Sequence, residues 1–221
     1  MTFFDVLQQE TEAARQSLFN IPILQRGVAG QITLDIYLDF LTQAYHHVKH
    51  TVPLLMALGS RLPSRLYELQ AAVIQYIDEE KGHEQWILDD IRACGADPEA
   101  VHIGQPSIAT EIMVAYAYDT IMRQHPIGFF GMVHVLEGTS IAIATQGAKN
   151  VQQTLQLPDE AFSYLTSHGA IDIEHVSFFE KLVNGFEKEK DKRAVIHCAI
   201  VFYKLYGDIF RSIGEQHGIT E

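Results

Sequence analysis

Residues 64–94, SRLYELQAAVIQYIDEEKGHEQWILDDIRAC, run without a proline, and Leu66, Ile74, Ile77 and Trp86 recur in them at helical spacing. The stretch predicts one long helix that starts at Ser64 and ends at Cys94, where Gly95 can act as the C-terminal stop. Neighbouring segments read the same way. Thr2 can cap a first helix to about Phe19, Asn20 to Pro22 breaks it, and a short helical piece leads to Gly27 and Gly30. Thr33 can cap a second long helix to about Leu58, with Pro53 expected to kink it. Gly59 to Pro63 then forms the turn before Ser64.

Downstream, Ala96 to Pro106 carries Asp97-Pro98 and Gly104 and reads as a loop, after which Ser107 can cap a fourth helix to about Gln124. His125-Pro126 ends it. A fifth segment from about Ile127 to Leu155 has Phe129, Val133, Leu136 and Ile141 on an apolar stripe, and its Gly131, Gly138 and Gly147 either weaken the helix or permit close packing. A sixth helix starts near Pro158-Asp159 and runs to about Phe186. A seventh follows the charged EKEKDKR stretch to about Gly214. Strand signals are nearly absent, so the expectation is an all-α bundle of about seven helices forming a single domain over residues 1–221.

The chain has 221 residues, 47% of them hydrophobic, which is enough for one sizeable core. A formal net charge of -12 argues against nucleic acid or anionic lipid as partner, since both need a basic surface. The N-terminus lacks the basic start and apolar run of a signal peptide, and no stretch looks long and apolar enough to span a bilayer, so a soluble, cytoplasmic protein is expected. Cys94 and Cys198 are the only cysteines and show no paired spacing for a disulfide framework or a thiolate zinc site.

Six side chains in three clusters carry the chemistry: Glu80 with His83, then Glu137, then His168, Asp172 and His175 in the order H-x3-D-x2-H. A helix turns about 100° per residue, so i, i+4 and i+7 positions stack on one stripe. Phe162, Leu165, Phe179 and Leu182 fall close to that stripe and suggest that it turns inward. Glu137 lies in the apolar run VHVLEGTSIAIA, where a carboxylate needs a proton, an ion pair or a cation. Glu80-x2-His83 is weaker alone, because an acidic surface run is an equal reading of YIDEEKGHEQW, and Glu79 competes with Glu80 as ligand. Mixed imidazole and carboxylate donors suit a pair of iron or manganese ions better than structural zinc. His46, His47, His50 and His134 are candidates for outer-sphere or substrate-facing positions, with core packing the commoner reading.

This ligand order resembles that of the haem-oxygenase-like di-iron oxidases and oxygenases, relatives of the TenA-type thiaminases. The resemblance implies a haem-oxygenase-like fold, two iron ions with manganese possible, and O2-dependent oxidation of a small organic substrate such as a fatty acid, amino acid or aromatic carboxylate. It implies Glu80, His83, Glu137, His168, Asp172 and His175 as the metal ligands. Three carboxylates against two ferrous ions would leave about +1 at such a site. A homodimer is compatible with the family. VLEGTSIA resembles a segment of haem oxygenases, but the first helix reads ETEAARQSLF where their axial histidine is expected, so haem is not expected. Two other classes remain open: a metal-independent TenA-like hydrolase, which needs a nucleophilic cysteine, and a non-catalytic binding protein for a small ligand.

Overall fold

The computed structural model describes residues 1–220, and the side chains of all of these except residues 168–175. Among the described residues there is no strand. The helices are α1 (Phe3–Glu10), α2 (Glu12–Phe19), α3 (Pro22–Val28), α4 (Leu34–Val48), α5 (Thr51–Arg61), α6 (Tyr67–Glu80) and α7 (His83–Ala93). They continue as α8 (Pro98–Ile103), α9 (Ile108–Met122), α10 (Phe130–Leu155), α11 (Ser163–Asn184) and α12 (Glu189–Gln216), with short 3-10 turns before α6, α10 and α11.

Each of the seven predicted helices is present, and several are subdivided for local reasons. Thr2 forms a capping box, its hydroxyl accepting from the Asp5 amide at 3.2 Å while the Asp5 carboxylate accepts from the Thr2 amide at 2.8 Å. The second helix breaks at Lys49-His50, ahead of Pro53. Proline lacks an N–H and its ring crowds the carbonyl four residues earlier, which is that of Lys49. The predicted loop at 96–106 contains α8, for which the Asp97 side chain accepts from the Glu99 amide at 3.0 Å.

The continuous helix expected over residues 64–94 is corrected in the middle. Lys81 is extended and Gly82 takes φ 93, so α6 ends at Glu80 and α7 starts at His83. Only glycine enters that left-handed region without a steric cost. The break lies between two of the predicted metal ligands and sets their relative position.

Helix α10 is the central element, packed between α11 and α12. The stretch Pro126–Leu155 is, by length and composition, apolar enough to cross a membrane, contrary to the sequence expectation, and 61% of its most apolar window is buried inside the fold. It lies where the core helix of a bundle lies. Gly131 permits its close approach to α12: a Cβ there would stand 2.5 Å from the Ala199 nitrogen and 2.7 Å from the Val195 oxygen. One buried cluster fills the space among α5, α6, α9, α10 and α12, with Phe130, Phe179 and Phe202 fully enclosed. A second joins α4 and α7 around Tyr37, whose ring stacks on Phe162 with centroids 5.0 Å apart.

Candidate metal centre and its cavity

Glu80 is the last residue of α6 and His83 the first of α7, so the Gly82 turn brings the two side chains together: His83 Nδ1 and Glu80 Oε2 lie 2.9 Å apart. Both are largely enclosed, the side chains being 3% and 10% exposed. The His83 ring also stacks on Trp86 at 4.1 Å between centroids. Glu137, on α10, is 9% exposed.

Glu80 and Glu137 line one cavity of about 190 Å³. Its walls are otherwise mostly apolar, and it extends along α10 from Met132 to Val151, with α3 and α4 also contributing to the lining. Glu79 takes no part in the lining. Its Oε1 accepts from the Gln75 side-chain amide at 2.9 Å, and its Oε2 is enclosed. Of the two adjacent acids, Glu80 is therefore the one that shares a cavity with Glu137.

His168, Asp172 and His175 lie on α11, and their side chains are outside the described residues. Two facts fix where their helix runs. It packs along α10, which carries Glu137, and against α7, which carries His83. Its N-terminus is capped by Asp90 of α7, fully buried, which accepts from the backbone amides of Ser163 and Tyr164 at 3.0 Å each and from the Ser163 hydroxyl. Sequence reading missed Asp90; an acid seven residues after a histidine carries no recognisable spacing.

Among the described residues no three of His, Cys, Asp and Glu gather as a metal-holding group. The described donors, two carboxylates that line the cavity and one imidazole bonded to Glu80, suit iron or manganese in chemical type, with the α11 positions left to complete the set.

The remaining histidines separate. His47 lines the cavity, edge-on to Tyr206 with ring centroids 6.0 Å apart. His46 and His50 do not line it. His46 Nδ1 lies 3.1 Å from Lys49 Nζ, and His50 Nδ1 lies 3.2 Å from the Tyr118 hydroxyl. Burial, reinforced by the Lys49 charge, lowers the His46 pKa to about 4 and lowers that of His50 as well. His134 faces the other side of α10, between Phe4, Phe179 and Tyr203, and burial followed by the Arg15 charge brings it to about 4.

Neither cysteine lines the cavity. Burial, then the Asp90 charge, raises the Cys94 thiol to about 11, and burial raises that of Cys198. Both are poor nucleophiles, which counts against a thiol-dependent hydrolase.

Residues 38–207 match the family described as iron-containing redox enzymes. Solved structures share the fold. A domain of unknown function with a haem-oxygenase-like fold from Shewanella denitrificans has 24% identity, covering 98% of this chain and 94% of that one, with a TM-score of 0.87. A TenA homologue from P. horikoshii has 12% identity, with 97% and 99% coverage and a TM-score of 0.81. Haem oxygenase-1 from Synechocystis, solved with haem, has 10% identity, with 99% and 97% coverage and a TM-score of 0.74. No curated protein matches the sequence.

Proposed function

Given that the chain belongs to the iron-containing redox enzyme family, we propose that it is a non-haem dimetal oxidase or oxygenase that uses O2 to oxidise a small organic substrate held in the α10 cavity. Glu80, His83, Glu137, His168, Asp172 and His175 would hold two iron ions, or manganese in their place. Such ions, when ferrous, would supply electrons to O2. The observation that carries this reading is that Glu80, bonded to His83, and Glu137 both line one otherwise mostly apolar cavity.

The chain's own residues set the conditions for that chemistry. The Glu80 and Glu137 carboxylates offset cationic charge, and the bond between Glu80 and His83 orients both donors before any ion arrives. Apolar walls exclude water and strengthen electrostatic interactions inside. Among the described residues no lysine or arginine lines the cavity, and of these His47 is the nitrogen base suited to carrying a proton there.

Metal analysis of protein produced with added iron tests the proposal. About two iron ions per chain are expected, falling below about one in Glu137→Gln and His83→Ala, with O2 consumption on addition of ferrous iron to the anaerobic protein. Less than about 0.2 iron or manganese per wild-type chain would sink the dimetal reading.

A further inference from the structure

Trp86 is the single tryptophan of the chain, and the turn that brings Glu80 and His83 together also sets its place. Gly82, with φ 93, starts α7 at His83, and the residue three positions on meets that same helix face. The indole accordingly lies against the imidazole, nearly parallel at 23°, with ring centroids 4.1 Å apart. This pair spans the wall of the fold. His83 is 2% exposed, whereas Trp86 is half-buried, between the exposed Gln85 and the fully enclosed Ile87.

Covering a buried ring at the edge of the core needs only an apolar side chain. Indole adds an electron-rich face, which steadies positive charge on an imidazole that holds a cation, and it gives up one electron more readily than most side chains do. Rings stacked in contact also pass electrons efficiently. The contact therefore joins the enclosed pair of donors, Glu80 and His83, to a ring that solvent reaches. The cavity has need of such a path. Tyr76, Tyr164, Tyr206 and Met132 are among its lining residues, and all four are oxidisable groups that a strong oxidant made beside Glu80 and Glu137 would attack in the absence of an organic substrate.

We propose that Trp86 relays electrons from the protein surface to the site through the His83 ring, and so protects the cavity lining when O2 is reduced without an organic substrate. Each passage moves one electron. An iron ion oxidised by O2 gains it, the indole loses it together with its Nε1 proton, which passes to water, and the resulting neutral indole radical takes one electron and one proton back from a small-molecule reductant of the ascorbate kind. The relay rests on the proposed oxidase reading, because the oxidant arises there. Trp86 touches neither substrate nor the cavity and acts through His83.

The test compares the full chain with Trp86→Phe, which keeps a stacked ring, and with Trp86→Tyr, which keeps a ring able to give up an electron. Ferrous iron added anaerobically to the chelator-treated wild type should first quench the emission of its single indole. O2 is then admitted with no organic substrate, and oxygen adducts are located by peptide mass spectrometry. In the wild type they should gather on Trp86, diminish when ascorbate is present, and spare the exposed Met56 and Met122, which a diffusing oxidant would strike. In Trp86→Phe the adducts should move to Tyr76, Tyr164, Tyr206 or Met132, while Trp86→Tyr should keep those residues intact. Adducts absent from Trp86, adducts spread equally over Met56 and Met122, or a cavity lining as clean in Trp86→Phe as in Trp86→Tyr would overturn the relay and leave the oxidase reading standing. A wild type that binds no iron would sink both.

Discussion

Asp90, on the helix that begins with His83, caps the helix that carries His168, Asp172 and His175 by accepting from the Ser163 and Tyr164 amides at 3.0 Å each. One carboxylate thus ties together the two helices that carry four of the proposed ligands. Burial raises its pKa, and the bonds from Ser163 and Tyr164 oppose that rise. Asp90→Ala should cost about 2–3 kcal/mol of stability, because it removes a cap and strands buried amides. Asp90→Asn, which keeps an acceptor and removes the buried charge, should cost less. Urea unfolding checks both, and a loss under about 0.5 kcal/mol in the alanine variant would mean that the cap does not hold α11.

Two glycines on α10 should respond oppositely to the same substitution. At Gly131 an added Cβ would sit 2.5 Å from the Ala199 backbone nitrogen, so Gly131→Ala forces α10 and α12 apart and should cost about 1–3 kcal/mol. At Gly138 nothing among the described residues lies within 4 Å, so Gly138→Ala should add up to about 1 kcal/mol of helix stability. Thermal unfolding of the two variants side by side reads the sign of each.

The contrast shows what sequence could and could not convey. Helical spacing was enough to place every long helix, since an apolar stripe at period 3.6 is a local property. The break at Gly82 was not legible, because a glycine in the middle of a helical pattern is tolerated as often as it ends one. Whether Gly131 or Gly138 permits packing depends on what crosses α10, which only tertiary structure supplies. Likewise the sequence named His46, His47 and His50 together without showing which of them meets the cavity, and the structure gives that position to His47. Glu137 was legible from its apolar run.

Stability should fall in mild acid through His46 and His134. Both are held at about 4 in the folded protein, against about 6.5 in an unfolded chain. A lowered folded pKa means that the unfolded chain binds more protons below pH 6.5, so the contribution is full above 6.5 and is lost as pH falls toward 4. About 2 kcal/mol for each histidine should be gone by pH 5. The groups bearing on His134 are Arg15 and Tyr203, and those on His46 are Lys49 and His50. Urea midpoints from pH 7.5 to 5 should show the decline, and His134→Gln should reduce its slope. An equal slope in that variant would assign the acid sensitivity elsewhere.

Glu79 and Glu80 offer the sharpest test of the proposed metal centre, because they are adjacent and chemically identical, and of the two only Glu80 lines the cavity. Glu80 lines the cavity with Glu137 and lies 2.9 Å from His83, whereas Glu79 is not among the lining residues and bonds to Gln75 through its Oε1. Glutamine keeps the size of either side chain and removes its charge. Loss of a ligating carboxylate should weaken metal binding at least about tenfold, as even outer-shell partners are commonly worth that much. Glu80→Gln should therefore lose iron under dialysis conditions that leave Glu79→Gln fully loaded. The metal-dependent gain in melting temperature should vanish only in the first variant, since an ion stabilises the fold only as far as the folded state binds it. Equal iron retention by the two variants would remove Glu80 from the ligand set and, with it, the role of the Gly82 turn in forming the site.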